Sequence, residues 1–229
     1  MKKTLRRAAT CAALLLATAA HAVSFDSLSN KDAAGGLKEA LTQGAGKAVS
    51  LLGRTDGFLG NPQVKIPLPE SLQNVEGMMR SFGMGKYADE LVTAMNRAAE
   101  AAVPEAKTLL VNSIRQMSVQ DAKAVLGGGD DAATQYFRRT TAEPLAGKFR
   151  PIVAKAMAKV KLAQKYDEFA GKAAKFGLVK EADTHLENYV TQKALDGLYL
   201  MIAAEEKAIR KDPVAAAGNL AQKVFGLLK

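Results

Sequence analysis

The side chains that could carry chemistry in this chain are carboxylates rather than cysteine or histidine. The single cysteine is Cys11, and the two histidines are His21 and His185. Because Cys11 and His21 lie near the amino terminus in a segment with the features of a leader, a cysteine nucleophile and a zinc cluster of His and Cys are excluded, and a Ser-His-Asp triad would have to use His185. His185 follows Asp183 and Thr184 where a helix is expected to begin, which is typical of a surface or capping residue. The sequence predicts no metal site and no cofactor.

Two groups of polar residues combine a carboxylate with a partner at helical spacing. They are Asn96 with Glu100, and Glu206 with Arg210. Two carboxylates at a fixed separation would be sufficient for a glycoside hydrolase. A spacing of four residues, however, places both members on one face of a single helix, which is typical of pairs that support the helix itself. The chain also has no Trp, although sugar clefts usually stack sugars on aromatic rings. A carboxylate-based hydrolase is therefore the weakest hypothesis, and the sequence favours a protein that is not an enzyme.

Positive charge is concentrated between Leu145 and Lys180, where nine residues are basic and two are acidic, a local net charge of +7. At 100° per residue this segment presents two lysine faces. The first consists of Lys161, Lys165, Lys172 and Lys175, and the second of Lys148, Lys155 and Lys159. A field of one sign gathered on one element attracts anionic surfaces. These seven lysines are the candidate binding residues, and a solvated helix face is the alternative interpretation.

Two functions of different classes remain open. The first is a non-catalytic protein that binds an anionic envelope component or a protein partner through the segment from Leu145 to Lys180. The second is a helical carrier in which methionines and aromatic residues line an apolar cavity for a lipid-like ligand; an enclosed cavity of more than a few hundred Å³ would favour it. The methionines concerned are Met78, Met79, Met84 and Met95. Nucleic acid is not expected as a partner, because the aromatic residues of the basic segment fall on its apolar stripe rather than beside the lysines. The sequence does not indicate an oligomeric state.

The first 22 residues have the three parts of an export signal. Basic residues between Lys2 and Arg7 precede an apolar run from Ala8 to Ala20, and Ala20 and Ala22 are the small residues that a signal peptidase reads. The run is shorter than the roughly 20 residues that a membrane-spanning helix needs. We expect cleavage after Ala22 and location in the periplasm of a Gram-negative bacterium. The general secretory route is favoured, and the Arg6-Arg7 pair leaves the twin-arginine route open.

Apolar residues recur with helical spacing along nearly all of the remaining chain, from 23 to 229, which predicts a single all-α domain built as a multi-helix bundle with no membrane-spanning segment. The first predicted helix carries Leu37, Leu41, Ala45, Ala48 and Leu52 and ends near Gly53. Later helices carry the sets Leu72, Val75, Met79, Phe82; Tyr87, Leu91, Met95, Ala98, Ala102; Leu110, Ile114, Met117; Leu186, Tyr189, Val190, Ala194, Leu198, Met201, Ile202; and, after Pro213, Leu220, Val224, Phe225, Leu228.

The exception is the segment from Thr55 to Pro69. Apolar residues alternate there with Lys65, Pro67 and Pro69. Proline cannot donate to a strand ladder, so two prolines forbid a central strand. The sequence predicts an extended arm, or at most an edge strand.

Helix boundaries are predicted from capping residues and from the phase of the apolar stripe. Residues 118–121 resemble a capping box, and Asp130 is expected to cap the helix that bears Tyr136 and Phe137. A helix from about Thr141 to Val160 should be bent at Pro151. Because the apolar stripe changes face beyond Val160, we expect a break near Lys161 and a second helix to Phe176.

Several runs of residues resemble segments of one known protein family. They are Met95 to Glu100, Ala133 to Arg138, Phe149 to Val153, Tyr189 to Thr191, Ala194 to Leu198, Glu205 to Pro213 and Lys223 to Gly226. Together they resemble a family of exported bacterial proteins, the domain-of-unknown-function family 4197, over nearly the whole chain after the leader. The resemblance implies an all-helical protein of the cell envelope. It brings no activity, cofactor or catalytic residue.

Overall fold

The structure is a computed structural model and describes residues 30–83, 85–161, 163–167 and 185–212. Within these ranges seven α-helices are bounded and no β-strand occurs, so the predicted all-α class is confirmed. They are α1 (Asn30–Leu52), α2 (Glu70–Ser81), α3 (Gly85–Ala102), α4 (Ala106–Gln116), α5 (Val119–Leu126), α6 (Ala132–Met157) and α7 (Leu186–Lys211). No helix in the described part of the chain is both long and apolar enough to cross a membrane. The predicted leader and the predicted helix after Pro213 lie outside the described residues.

Helix α7 is, with α6, one of the two central helices of the bundle. It packs against α6, α1 and α3, and five of the six residues from Ala194 to Tyr199 are buried. Burial around most of a helix requires neighbours on more than one side. The remaining helices pack on this pair and on one another: α1 also contacts α4 and α5, α6 contacts α3, α4 and α5, and α2 packs on α3.

Helix α6 is a single helix of 26 residues, although the sequence suggested separate helices before and after Thr141. Seven of its nine buried side chains recur every four residues: Ala133, Phe137, Thr141, Leu145, Phe149, Val153 and Met157. This row continues through Thr141, so one helix buries it without a break. Pro144 and Pro151 lie inside the helix, and both are exposed. The backbone carbonyls that lose their partners therefore face solvent, which reduces the cost of each proline.

The predicted break near Lys161 is confirmed. Helix α6 ends at Met157, the backbone N–H of Val160 donates to the Met157 carbonyl at 2.9 Å, and the N–H of Ala163 donates to the Val160 carbonyl at 3.0 Å. Helical structure resumes at Lys161 and is described as far as Asp167. The turn changes the face that points inward, so Met157 on one side of it and Tyr166 on the other are both buried. The predicted continuation to Phe176 lies outside the described residues.

The segment between α1 and α2 is an arm without regular strand structure, as the two prolines predicted. Its apolar residues Val64, Ile66 and Leu68 are nonetheless buried in the core. Phe58 is also fully buried, and it lies so close to Gly197 of α7 that a Cβ atom there would come within 2.7 Å of the Phe58 ring. Glycine at position 197 therefore allows the arm to lie against α7.

Local capping predictions have mixed outcomes. The capping box at the start of α5 is confirmed, since the N–H of Asp121 donates to the Ser118 hydroxyl at 3.0 Å and the N–H of Ser118 donates to the Asp121 carboxylate at 3.1 Å. The prediction that Asp130 caps the next helix is wrong. Asp131 occupies the N-cap position of α6, and its side chain makes no capping hydrogen bond.

Two aromatic residues predicted to belong to apolar stripes are exposed instead. Phe82 is 72% exposed and Tyr87 is 45% exposed. Helix α2 ends at Ser81, and Gly83 follows with a φ of 73°, a left-handed conformation that glycine adopts without strain. Phe82 therefore lies in the turn between α2 and α3, beyond the helical face on which the spacing placed it.

Candidate functional site

Asn96 of α3 is fully buried and binds the arm. Its Oδ1 accepts a hydrogen bond from the N–H of Ile66 at 2.8 Å, and its Nδ2 donates to the carbonyls of Ile66 at 2.9 Å and Val92 at 2.8 Å. The side chain thus pairs with both backbone groups of Ile66, as a neighbouring strand would do. The hydrogen bonds to Ile66 hold the arm against α3.

Glu100, one helical turn further along α3, holds the beginning of the same arm. Its Oε1 accepts hydrogen bonds from the N–H groups of Phe58 at 3.0 Å and Leu59 at 3.1 Å, and its Oε2 pairs with Arg97 at 2.6 Å. Arg97 also pairs with Asp56 of the arm at 2.8 Å. Glu100 and Asp56 together raise the pKa of Arg97 above its ordinary value. Both oxygens of this 5% exposed carboxylate are occupied.

Glu206 of α7 caps the amino-terminal end of α6. Its Oε1 accepts the N–H of Ala133 at 2.9 Å, and its Oε2 accepts the N–H of Thr134 at 2.9 Å and the Thr134 hydroxyl at 2.9 Å. Arg210 pairs with the same carboxylate at 2.8 Å and donates to the carbonyl of Val125 in α5 at 2.8 Å. Glu206 therefore performs the capping role that the sequence assigned to Asp130.

The predicted polar cluster is thus two separate structural networks. The partners of Glu100 belong to α3 and the arm, whereas those of Glu206 belong to α6 and α7. Neither glutamate has an oxygen without a donor, so neither presents a free carboxylate to a substrate. General acid–base catalysis requires a carboxylate oxygen that can reach the substrate, and both oxygens of each glutamate are engaged within the fold.

The predicted lysine faces are exposed wherever the structure describes them. Lys148 and Lys155 lie on α6, Lys159 lies in the turn that follows α6, and Lys161 and Lys165 lie on the next helical segment. Lys172 and Lys175 lie outside the described residues. All eight ion pairs between described residues involve other positions, and the segment from 145 to 166 contains no acidic residue. This charge is therefore not neutralised by a described ion pair.

A surface cleft of about 500 Å³ separates α6 from α7 beside this segment. Arg150 of α6 and Lys193 of α7 line it, together with Thr191 and Asp196. Asp196 pairs with Arg138 at 3.3 Å. Among the buried side-chain nitrogen and oxygen atoms of the described residues, the Thr191 hydroxyl is alone in lacking a hydrogen-bond partner.

A third group of residues was not anticipated. Asp167, His185 and Glu187 place one ligand-type atom each within 4.8 Å of one another. His185 is exposed and the two carboxylates are partly buried. The N–H of Leu186 donates to Asp167 Oδ1 at 3.0 Å. Burial raises the pKa of Asp167, the Leu186 hydrogen bond opposes that change, and the nearby Glu187 adds to it. Because 18 residues separate Asp167 from His185, no spacing rule could have identified the group.

Residues 27–226 match the family described as "Protein of unknown function (DUF4197)". No curated protein and no solved structure matches the chain.

Proposed function

The chain belongs to the DUF4197 family, and from this premise we propose that it is an exported, non-catalytic protein that binds the anionic lipid surface of the cell envelope through its basic segment. The observation that carries the proposal is the set of exposed lysines without a described ion pair: Lys148, Lys155, Lys159, Lys161 and Lys165. They lie on a rigid helix and on the segment that directly follows it. Some other exposed cations of the bundle, such as Lys47 and Arg138, pair with carboxylates.

Electrostatics supplies the expected strength of this binding. A lysine near an anionic membrane contributes on the order of 1 kcal/mol. The three lysines of one face, Lys148, Lys155 and Lys159, therefore contribute about 3 kcal/mol to reversible association without any apolar insertion. The attraction acts over the Debye length, about 10 Å at 0.1 M salt. Binding should accordingly weaken as salt concentration rises.

The non-catalytic part of the proposal is supported by the occupied carboxylates. Glu100 and Glu206 are the buried glutamates among the described residues, and hydrogen bonds from backbone groups engage both. A general acid or base needs an oxygen that can reach the substrate. We therefore interpret both glutamates as structural residues.

The binding test is a cosedimentation experiment with vesicles of phosphatidylcholine alone and of phosphatidylcholine with phosphatidylglycerol. The test variant carries Lys148→Gln, Lys155→Gln and Lys159→Gln. The control carries Lys107→Gln, Lys123→Gln and Lys207→Gln, which removes the same charge from exposed residues elsewhere. We expect the test variant to lose on the order of 100-fold in affinity for the anionic vesicles, since three lysines contribute about 3 kcal/mol. The control should bind nearly as the unchanged protein does.

If the two variants lost the same affinity for anionic vesicles, net charge rather than this lysine face would determine binding, and the proposal would fail. It would also fail if the unchanged protein bound neither kind of vesicle at low salt. Retention on envelope proteins but not on vesicles would assign the face to a protein partner instead.

The proposed location has an independent test. If the first 22 residues are an export signal, protein purified from the periplasm should begin at Val23 by amino-terminal sequencing. Recovery of the chain only from the cytoplasm, with Met1 retained, would contradict export.

The carrier hypothesis gains no specific support. Met95 is fully buried in the core, whereas the side chains of Met78 and Met79 in α2 and the whole of Met84 lie outside what the structure describes. Three clefts of about 470 to 500 Å³ are lined by described residues. Each is open to the surface and lined by charged side chains, unlike the enclosed apolar cavity that a lipid-like ligand would need.

A further inference from the structure

We propose that Asp167, His185 and Glu187 form a binding site for a divalent transition metal ion, with Zn²⁺ as the best match to the ligand set. This site is distinct from the lysine faces, and neither the family description nor the proposed lipid binding implies it. The inference rests on two segments that are distant in sequence and meet at one point. The last described residue of the helical segment after α6 is Asp167, and the N-cap and second residue of α7 are His185 and Glu187.

The geometry requires only small side-chain movements. The three ligand atoms lie within 4.8 Å of one another. Four-coordinate Zn²⁺ with bonds of about 2.0–2.1 Å places its ligands about 3.3 Å apart. Rotation of the His185 and Glu187 side chains can close the difference, because His185 is exposed and Glu187 is only partly buried.

The backbone already orients the least mobile ligand. The N–H of Leu186, which lies between His185 and Glu187, donates to Asp167 Oδ1 at 3.0 Å, and this leaves Oδ2 for a metal ion. Hydrogen bonds of this kind hold ligating carboxylates in place in known metal sites. They also confine the two segments to one arrangement before any ion binds.

The charges of the site favour a cation. Two partly buried carboxylates share the site with one imidazole. A divalent ion would neutralise both. The imidazole nitrogen selects Zn²⁺ and similar ions over Mg²⁺ and Ca²⁺, which prefer sites made only of oxygen ligands. Three protein ligands leave a coordination position for water on the exposed side.

Isothermal titration calorimetry with ZnCl₂ on the untagged, chelator-treated full chain tests the proposal. We expect one ion per chain. His185→Gln and Glu187→Gln should each weaken binding at least about tenfold, which is 1.4 kcal/mol. His185 is the only histidine after the proposed cleavage site, and Asp130→Asn, which alters an exposed carboxylate outside the group, should leave binding unchanged.

A measurement on the unchanged protein avoids any effect of the variants on folding. Long-range ¹H–¹⁵N NMR spectra should show the His185 ring shift to a single metal-bound tautomer when one equivalent of Zn²⁺ is added. A Kd weaker than about 1 mM, an unaffected His185 ring, or undiminished binding by a folded His185→Gln variant would each overturn the proposal. The last result would mean that surface carboxylates bind the ion non-specifically.

Discussion

Buried carboxylate and amide side chains hold the backbone of distant segments in this protein. Glu206 accepts the first N–H groups of α6, Glu100 accepts those of Phe58 and Leu59, and Asn96 pairs with both backbone groups of Ile66. A helix has four amino-terminal N–H groups without intrahelical partners, and buried ones need an acceptor. At the residue scale, the most buried polar side chains therefore serve structure.

Replacing Glu206 with glutamine should destabilise the fold. The amide nitrogen would face either the donors at Thr134 or those at Ala133 and Arg210, so one set of buried donors would lose its acceptor. We expect a loss of about 3 kcal/mol in the free energy of unfolding by urea denaturation, because breaking a buried charged network costs this much. The neighbouring Glu205→Gln variant loses one pair with exposed Lys47 and should cost about 1 kcal/mol or less. Similar costs for the two variants would contradict the capping role.

Tyr199 should make stability depend on alkaline pH. Burial raises its pKa above the ordinary value of 10.0, an effect that the Thr141 hydrogen bond and the charge of Arg138 partly oppose. Since the folded pKa is the higher one, the contribution of the neutral phenol is complete below pH 10 and is lost as the pH rises through the folded pKa. The Tyr199→Phe variant should therefore lose less stability above pH 10 than the unchanged protein does. Parallel declines of the two unfolding free energies would contradict this.

The arm from 53 to 69 shows at the element scale how a segment without regular structure can belong to the core. It buries Phe58, Val64, Ile66 and Leu68, while its backbone groups bond to the side chains of α3. An unpaired buried backbone group is costly, so polar side chains from a helix replace the neighbouring strand that the arm lacks. The position of the arm therefore depends on α3.

Asn96→Ala should release the arm without dismantling the bundle. The change leaves the N–H and the carbonyl of Ile66 without their described partners, at a cost of about 1–3 kcal/mol for each group. We expect faster proteolytic cleavage between residues 55 and 69, with far-ultraviolet circular dichroism nearly unchanged. Thr93→Ala alters an exposed position of the same helix and serves as the control. Unchanged resistance of Asn96→Ala to protease would mean that Glu100 and apolar packing suffice to hold the arm.

At the scale of the whole molecule, buried apolar residues from Ala34 to Ile209 form one contiguous core. Helix α7 contacts α1 near the start of the described chain as well as α6. Contacts between elements so distant in sequence couple their stabilities, because one helix cannot leave without exposing the others. The described helices are consequently expected to unfold together.

The sequence-based prediction of a single domain from 23 to 229 leads to a specific unfolding experiment. Helical ellipticity in the far ultraviolet and the tyrosine signal in the near ultraviolet should give coincident urea transitions, as a cooperative domain requires. Tyr136 and Tyr199 lie in the buried core and report tertiary packing there. Two separated transitions would indicate that the chain contains more than one independently folding unit.

Features that depend on neighbours within about four residues were predictable from the sequence. The stripe from Leu37 to Leu52, the capping box at Ser118, the arm with its prolines and the break near Lys161 all follow from local geometry. The exposure of Lys148 and Lys155 follows in the same way, because they lie opposite a buried row on one helix. The length of a helix was overpredicted where an apolar pattern continued past the end of that helix, as at Phe82.

Tertiary structure alone decided which polar groups meet. Glu206 caps α6 across 73 residues, Asn96 pairs with Ile66 across 30, and Asp167 meets His185 and Glu187 where two helical segments converge. Such contacts depend on how helices pack, and packing is set by the combined burial of many apolar side chains rather than by the spacing of any pair. The sequence therefore identified the helices, the basic segment and the helical spacing of the polar pairs, whereas the fold determined which backbone groups those pairs hold and brought Asp167, His185 and Glu187 together without a sequence motif.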